Sequence, residues 1–213
     1  MNTNQKNIGV GFWLVWVLAS APGFGLGAIV GIVILFAAQV PEGAAFPILF
    51  GIIFGAVGGL AQWLILRRQI PESGLWVPFS ALGFMMAVAT VASMGQKASP
   101  NFNSFFILAG VYGLLGGFLQ GLILEKQSVP IVWWIAASML GGWLGCTMNG
   151  SAVAAVSTNE AWQIGTMTFF SIWFRLGAPF GLGLGITTGA TLIWFLRNPK
   201  DESKDEAAIQ GTR

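Results

Sequence analysis

Six long apolar stretches, the first four each closed by a short polar break, constrain this chain more than anything else in it. They run at about 12–38, 45–66, 75–95, 103–124, 130–148 and 176–196. Crossing the hydrocarbon of a bilayer takes ~20 mostly apolar residues, which is about the length of each stretch. The breaks are Val40-Pro41-Glu42-Gly43, the run from Arg67 to Ser73, the run from Gln96 to Asn101, and Glu125-Lys126-Gln127-Ser128. Pro130 follows the last of these, in the first turn of the next helix, where proline is tolerated. Only 8% of the 213 residues are charged and 55% are hydrophobic. A soluble domain carries about 25% charged residues, so a water-facing surface cannot be covered here. Thirty glycines and ten tryptophans fit the same class, since glycine is enriched in transmembrane helices and tryptophan at membrane interfaces. The expected fold is an all-α, multi-pass membrane bundle.

The first stretch exceeds the ~7–15 residues of a signal-peptide core and is read as a retained span. With six spans and both termini cytoplasmic, Lys6, Arg67, Arg68, Lys126, Arg197, Lys200, Lys204 and Arg213 fall on one side, against Lys97 and Arg175 on the other. This split satisfies the positive-inside rule. Arg175 and Arg197 are 22 residues apart, or ~33 Å of helix, which places Arg175 at the far interface. The segment 161–175 is therefore expected to be a short interfacial helix ahead of the sixth span. The competing reading is one long helix bent near Gly177 and Pro179. Residues 12–197 form a single membrane domain, and 198–213 form a polar, flexible cytoplasmic tail.

Composition removes most chemistry. There is no histidine, hence neither the commonest metal ligand nor the commonest general base. Cys146 is the only cysteine, and a buried small residue is its plainest reading. The carboxylates Glu42, Glu72, Glu125, Glu160, Asp201, Glu202, Asp205 and Glu206 all lie outside the apolar stretches, which disfavours a proton- or metal-coupled transporter. The net charge of +2 comes from scattered basic residues, so nucleic acid is not an expected partner. The glycine runs Gly23-Phe24-Gly25-Leu26-Gly27 and Gly181-Leu182-Gly183-Leu184-Gly185 follow no strand and carry no nucleotide-loop meaning. Pro22 and Pro179 would free helix carbonyls, which neighbouring helices can satisfy. No residue is assigned a catalytic or metal-binding role.

The chain also repeats itself. The odd stretches share Trp-x-x-x-Ser-x-x-Gly-x-x-x-small: Trp16, Ser20, Gly23, Gly27; then Trp76, Ser80, Gly83, Ala87; then Trp134, Ser138, Gly141, Gly145. The second and fourth share Gly55, Gly58, Gly59, Gln62 and Gly113, Gly116, Gly117, Gln120, each followed by Leu-Ile-Leu and a glutamine. A fainter copy in the sixth places Gly185, Thr188, Gly189, Leu192 and Arg197 at Gly55, Gly58, Gly59, Gln62 and Arg67. The units are 12–69, 74–127 and 130–197. Each holds two spans, so all enter from one side, and the expected form is three parallel two-helix repeats in a pseudo-threefold bundle. The glycines are read as close helix contacts, and Trp16, Trp76 and Trp134 as interface anchors at the cytoplasmic side. Ser20 with Gln62, and Ser80 with Gln120, lie at similar depth and are expected to bond between helices. Ser138 would lack such a partner opposite Leu192. This polar layer is read first as interhelical glue and second as the lining of a path. Tandem glycines that admit a flat cofactor or lipid are a lesser reading.

The run Gly58-Gly-Leu-Ala-Gln-Trp-Leu-Ile-Leu-Arg-Arg68, followed by Trp76-Val-Pro-Phe-Ser-Ala-Leu-Gly83, resembles a set of poorly characterised bacterial membrane proteins, frequent in cyanobacteria. These repeat a Gln-Trp-Leu-x-Leu-Arg and a Trp-x-x-x-Ser-x-x-Gly element. The resemblance covers the core of all three units and departs at Leu192. It implies architecture and an address in a bacterial plasma membrane or thylakoid, and no catalytic residues. The expected function is non-enzymatic: a structural, assembly or accessory subunit of a larger membrane complex, photosynthetic if the address is the thylakoid. The alternative is a channel or carrier for a neutral small molecule. The bilayer is the expected partner, together with other membrane subunits. No cofactor is identifiable, although bound lipid or pigment stays open, because glutamine can replace histidine as a pigment ligand.

Overall fold

A computed structural model describes residues 9–41, 43, 45–70, 72–94, 102–127, 129–150 and 166–198. The elements are α1 (Val10–Ala37), α2 (Ala45–Leu66), a 3-10 turn (Ser73–Leu75), α3 (Trp76–Ser93), α4 (Phe102–Glu125), α5 (Ile131–Thr147) and α6 (Thr166–Arg197). The chain is all-helical over the described residues, with five helices long and apolar enough to cross a membrane. The exception is α5, apolar but only 17 residues long, or ~26 Å of helix. Leucine and phenylalanine crowd the outer surface, among them Leu18, Leu114, Phe118 and Leu140. An apolar exterior of this kind is stable in lipid, not in water.

One sequence expectation changes here. Residues 166–175 are not a separate interfacial helix. They run without a break into the rest of α6, past Pro179, as one helix of 32 residues. At ~48 Å, α6 outreaches the ~30 Å hydrocarbon core, so exposed Arg175 need not sit at a helix end to reach a polar layer. Residues 161–165 and 199–213, with Lys6, Lys97 and Glu160, lie outside the described residues.

Each helix packs on its neighbours in sequence, and α6 packs back on α1, so the six close into a ring. Lipid supplies no hydrophobic drive between helices, so association relies on close packing of backbones. Glycine makes this possible at every seam. A Cβ on Gly27 would stand 2.9 Å from the Phe54 carbonyl oxygen, across α1–α2. One on Gly55 would stand 2.6 Å from the Ser80 carbonyl oxygen, and one on Gly83 2.5 Å from Gly116 Cα. The remaining seams repeat this: Gly113 at 2.5 Å from Met139 Cα, Gly145 at 2.6 Å from the Pro179 carbonyl oxygen, and Gly185 at 2.9 Å from Val17 Cα. Even the smallest side chain would force helices apart at these points.

The interior is filled by aromatic rings. Phe24, Phe84 and Phe180, from α1, α3 and α6, form a triangle with centroid separations of 5.7, 5.6 and 5.4 Å. Phe54 lies 4.8 Å from Phe84, and Tyr112 stacks on Phe84 at 3.8 Å. Offset and edge contacts of this type add ~0.5–1.5 kcal/mol each beyond burial. A second buried cluster, nearer the end where α1 begins and α6 finishes, gathers Trp16, Trp76, Trp134, Leu66, Leu124 and Leu192.

A Gly83→Val substitution is expected to destabilise by ~1–3 kcal/mol through overpacking, lowering the melting temperature by ~2–4 °C per kcal/mol. Gly11→Ala, at a position with nothing within 4 Å, is expected to leave it unchanged. Thermal unfolding of the two variants in detergent checks this.

Candidate functional site: a belt of tryptophan, glutamine and serine

The polar residues singled out by the repeat meet inside the ring. Gln62 of α2 donates through Nε2 to Ser20 Oγ of α1 at 3.1 Å, and its Oε1 accepts from Trp76 Nε1 of α3 at 3.2 Å. Gln120 of α4 repeats both bonds, to Ser80 Oγ at 2.8 Å and from Trp134 Nε1 at 3.2 Å. Each amide thus joins the helix before it to the helix after it. Ser80 passes its own proton to the Trp76 carbonyl at 2.8 Å. Gln120 Nε2 also reaches the Tyr112 hydroxyl, at 3.4 Å, which ties the belt to the aromatic layer. Ser20, Ser80, Ser138, Gln62 and Gln120 are all buried.

The tryptophans are not interface anchors. Trp16, Trp76 and Trp134 are at most 1% exposed. Their rings meet edge to face at 6.0 Å (Trp16–Trp76) and 5.6 Å (Trp76–Trp134). A buried indole N–H needs an acceptor, and the glutamines provide it. The bonding of tryptophan to glutamine was not read from the sequence. The signal was there, because Gln62 to Trp76 and Gln120 to Trp134 are each 14 residues.

The third position is filled differently. Trp16 Nε1 donates to Thr188 Oγ1 at 3.0 Å, and Thr188 gives its proton to the Leu184 carbonyl. Thr188, and not Leu192, therefore occupies the place of Gln62 and Gln120. The glycines agree with this four-residue correction. A Cβ on Gly59 would meet the Ser80 side chain, and one on Gly117 that of Ser138. Ser20 is met from Gly185, three before Thr188 as Gly59 is three before Gln62. Leu192 joins Leu66 and Leu124, all 0% exposed, against the tryptophans. In sequence, Thr188-Gly189 imitates the tandem glycines of the other copies, while the short hydroxyl that replaces the amide gives no match.

The remaining glycines are filled by neighbours. Gly58 lies against the Phe24 ring, Gly116 against Tyr112 and Gly23 against Ala61. Gly141 lies against Leu184, and Gly189 against the Trp13 and Trp16 rings. Protein atoms thus occupy the faces of the tandem glycines that a flat cofactor would need. Outside the belt, Trp13 Nε1 donates to the Ile186 carbonyl at 3.0 Å, and Asn149 Nδ2 to the Leu176 carbonyl at 2.7 Å. Lys126 pairs with Glu72 at 3.2 Å, with both side chains largely exposed. Compared with models of known protein families, with curated proteins and with solved structures, the chain matches none.

Gln62→Leu removes the acceptor of Trp76 and the donor to Ser20. It is expected to cost ~1–3 kcal/mol, because a buried donor is stranded. Adding Trp76→Phe should recover part of that loss. A double-mutant cycle on thermal stability would read a coupling of ~0.5 kcal/mol or more between the two; full additivity would disprove the link.

Proposed function

We propose that this membrane protein is non-enzymatic, and that it serves as a structural, assembly or accessory subunit of a larger membrane complex. The observation that carries the reading is how the interior polar groups are used. Ser20, Ser80, Gln62, Gln120 and Thr188 are bonded to other helices or to tryptophans. Five aromatic rings meet within the same ring of helices. Side chains committed in this way hold helices together. They are worth ~0.6 kcal/mol each, and up to ~1.7.

The architecture proposed with it is three parallel two-helix repeats about a pseudo-threefold axis, with α5 as the sixth span. Support comes from recurrence. Phe54, Tyr112 and Phe180 each stand eight residues before Gln62, Gln120 and Thr188, and all three rings lie in the aromatic layer. Val10 and Arg197 border one groove, so the first helix starts and the last one ends on the same side, as an even number of crossings requires. The charge distribution favours that side as the cytoplasmic one, in a bacterial plasma membrane or thylakoid.

Two measurements test this reading. Tagged protein isolated at native level in mild detergent should travel in a large complex with fixed partner stoichiometry, and its absorbance would report bound pigment. A small, colourless, homogeneous particle that conducts a neutral solute in liposomes, with flux lost in Gln62→Leu and Gln120→Leu, would replace the reading with that of a channel or carrier. Separately, a cysteine introduced at Asn198 should react with an impermeant thiol reagent in inside-out vesicles and not in intact spheroplasts. The reverse pattern would invert the topology.

A further inference from the structure

The belt holds an internal comparison. At two positions a glutamine does two jobs: its carbonyl accepts from a tryptophan on the next helix, and its amide donates to a serine on the previous one. At the third position Thr188 does only the first. Its hydroxyl carries one proton, and that proton goes to the Leu184 carbonyl. What remains on Thr188 Oγ1 is acceptor capacity, one share of which Trp16 takes. The serine of this copy, Ser138 on α5, is 1% exposed, and its Oγ has no hydrogen-bond partner. Ser80, its counterpart, is bonded both to Gln120 and to the Trp76 carbonyl.

Ser138 and Thr188 belong to facing helices at the same level. Thr187 Oγ1 donates to the Ala137 carbonyl at 2.7 Å, one residue before each of them. Threonine has two fewer side-chain heavy atoms than glutamine. Leu184 stands where the other copies have Gly58 and Gly116, and Gly142 stands where they have Phe24 and Phe84. That exchange returns the bulk of a ring for the bulk of a leucine. On the other side of Ser138 lies α4, where a Cβ on Gly117 would stand 3.2 Å from Ser138 Oγ, a tight contact. A shorter side chain on α6 and an unmet hydrogen-bonding group on α5 therefore occur at the same level.

We propose that this is a binding site for one buried water molecule, held between Ser138 and Thr188. It stands in for the missing amide: it accepts from the Ser138 hydroxyl and donates to the free lone pair of Thr188 Oγ1. A buried polar site with two to four partners is the kind that retains water. The belt is then complete at all three places, twice through a glutamine and once through a solvent molecule.

The direct test is a structure of the full chain at a resolution that shows ordered water. Density within ~3 Å of both Ser138 Oγ and Thr188 Oγ1 is the expected result. Ser138 turned onto the Trp134 carbonyl, or bonded directly to Thr188, with no density between, would overturn the site. Thr188→Gln offers a second reading. An amide that displaces water into existing space should leave the melting temperature equal or higher. It should also make a further Ser138→Ala substitution costlier, by ~2 °C or more, than the same change beside Thr188. A fall of several degrees on Thr188→Gln alone would mean that the space is absent.

Discussion

An indole N–H that is buried away from water needs an acceptor, and in a ring of helices that acceptor comes from a neighbouring helix. Much of this architecture follows from placing three tryptophans at the inner side of a helix ring. Trp16, Trp76 and Trp134 supply the bulk that fills one end of the interior. Each then requires an oxygen from a neighbouring helix, at a fixed depth. Gln62, Gln120 and Thr188 supply those oxygens. The glutamine side chain is long enough to satisfy a tryptophan on one neighbour while its amide turns to a serine on the other. One residue type thus sets the order, depth and rotation of three consecutive helices.

The bonds need close helices, and the glycines make them close. Gly59 and Gly117 lie against the side chains of Ser80 and Ser138. A side chain at Gly59 would push away the serine-bearing helix, and one at Gly117 would crowd it. The polar belt and the glycine contacts are therefore two parts of one device. Close backbones bring the donors within reach, and the hydrogen bonds choose which rotation of the close-packed helices is kept. Without the bonds, a surface of small residues would allow several registers of similar energy. Without the glycines, the amide would not reach.

Sequence period and composition made the helices legible, because apolar length and polar breaks are set locally. Pairings between Ser20 and Gln62, and between Ser80 and Gln120, could be anticipated from depth alone, by counting in from the polar ends. The destination of the tryptophans could not. Amphipathic indoles near a helix end fit both a headgroup layer and a bonded interior, and only the facing glutamine decides between them. The third copy failed for a related reason. Thr188 keeps one function of the amide and not its shape, so a comparison of letters slides to the better-matching Gly185 and Gly189. The continuous α6 was hidden by Arg175, whose charge read as a boundary. A helix of 32 residues has length to spare for an exposed arginine within it.

The belt also has a direction along the chain. Gln62 and Gln120 reach tryptophans 14 residues ahead, on the next helix to be made. Two of the three indoles can therefore be satisfied as soon as the following helix packs. Trp16 comes first in sequence, and its acceptor lies 172 residues later. Until α6 is in place, this indole has no belt partner, and the face of α1 that receives Gly181 and Gly185 lies open. Closing that gap costs the most chain entropy of any contact in the belt. It also makes the α1–α6 seam the step at which an open row of helices becomes a ring. The seam carries reinforcement that fits this role: Trp13 adds a second indole bond, to the Ile186 carbonyl. Gly25 meets Phe174, and Gly177 meets the backbone of Phe24. The glycine contacts that run along α6 toward α1 are what allow the last helix to seat against the first, and the hydrogen bond from Trp16 to Thr188 fixes the register in which it does so.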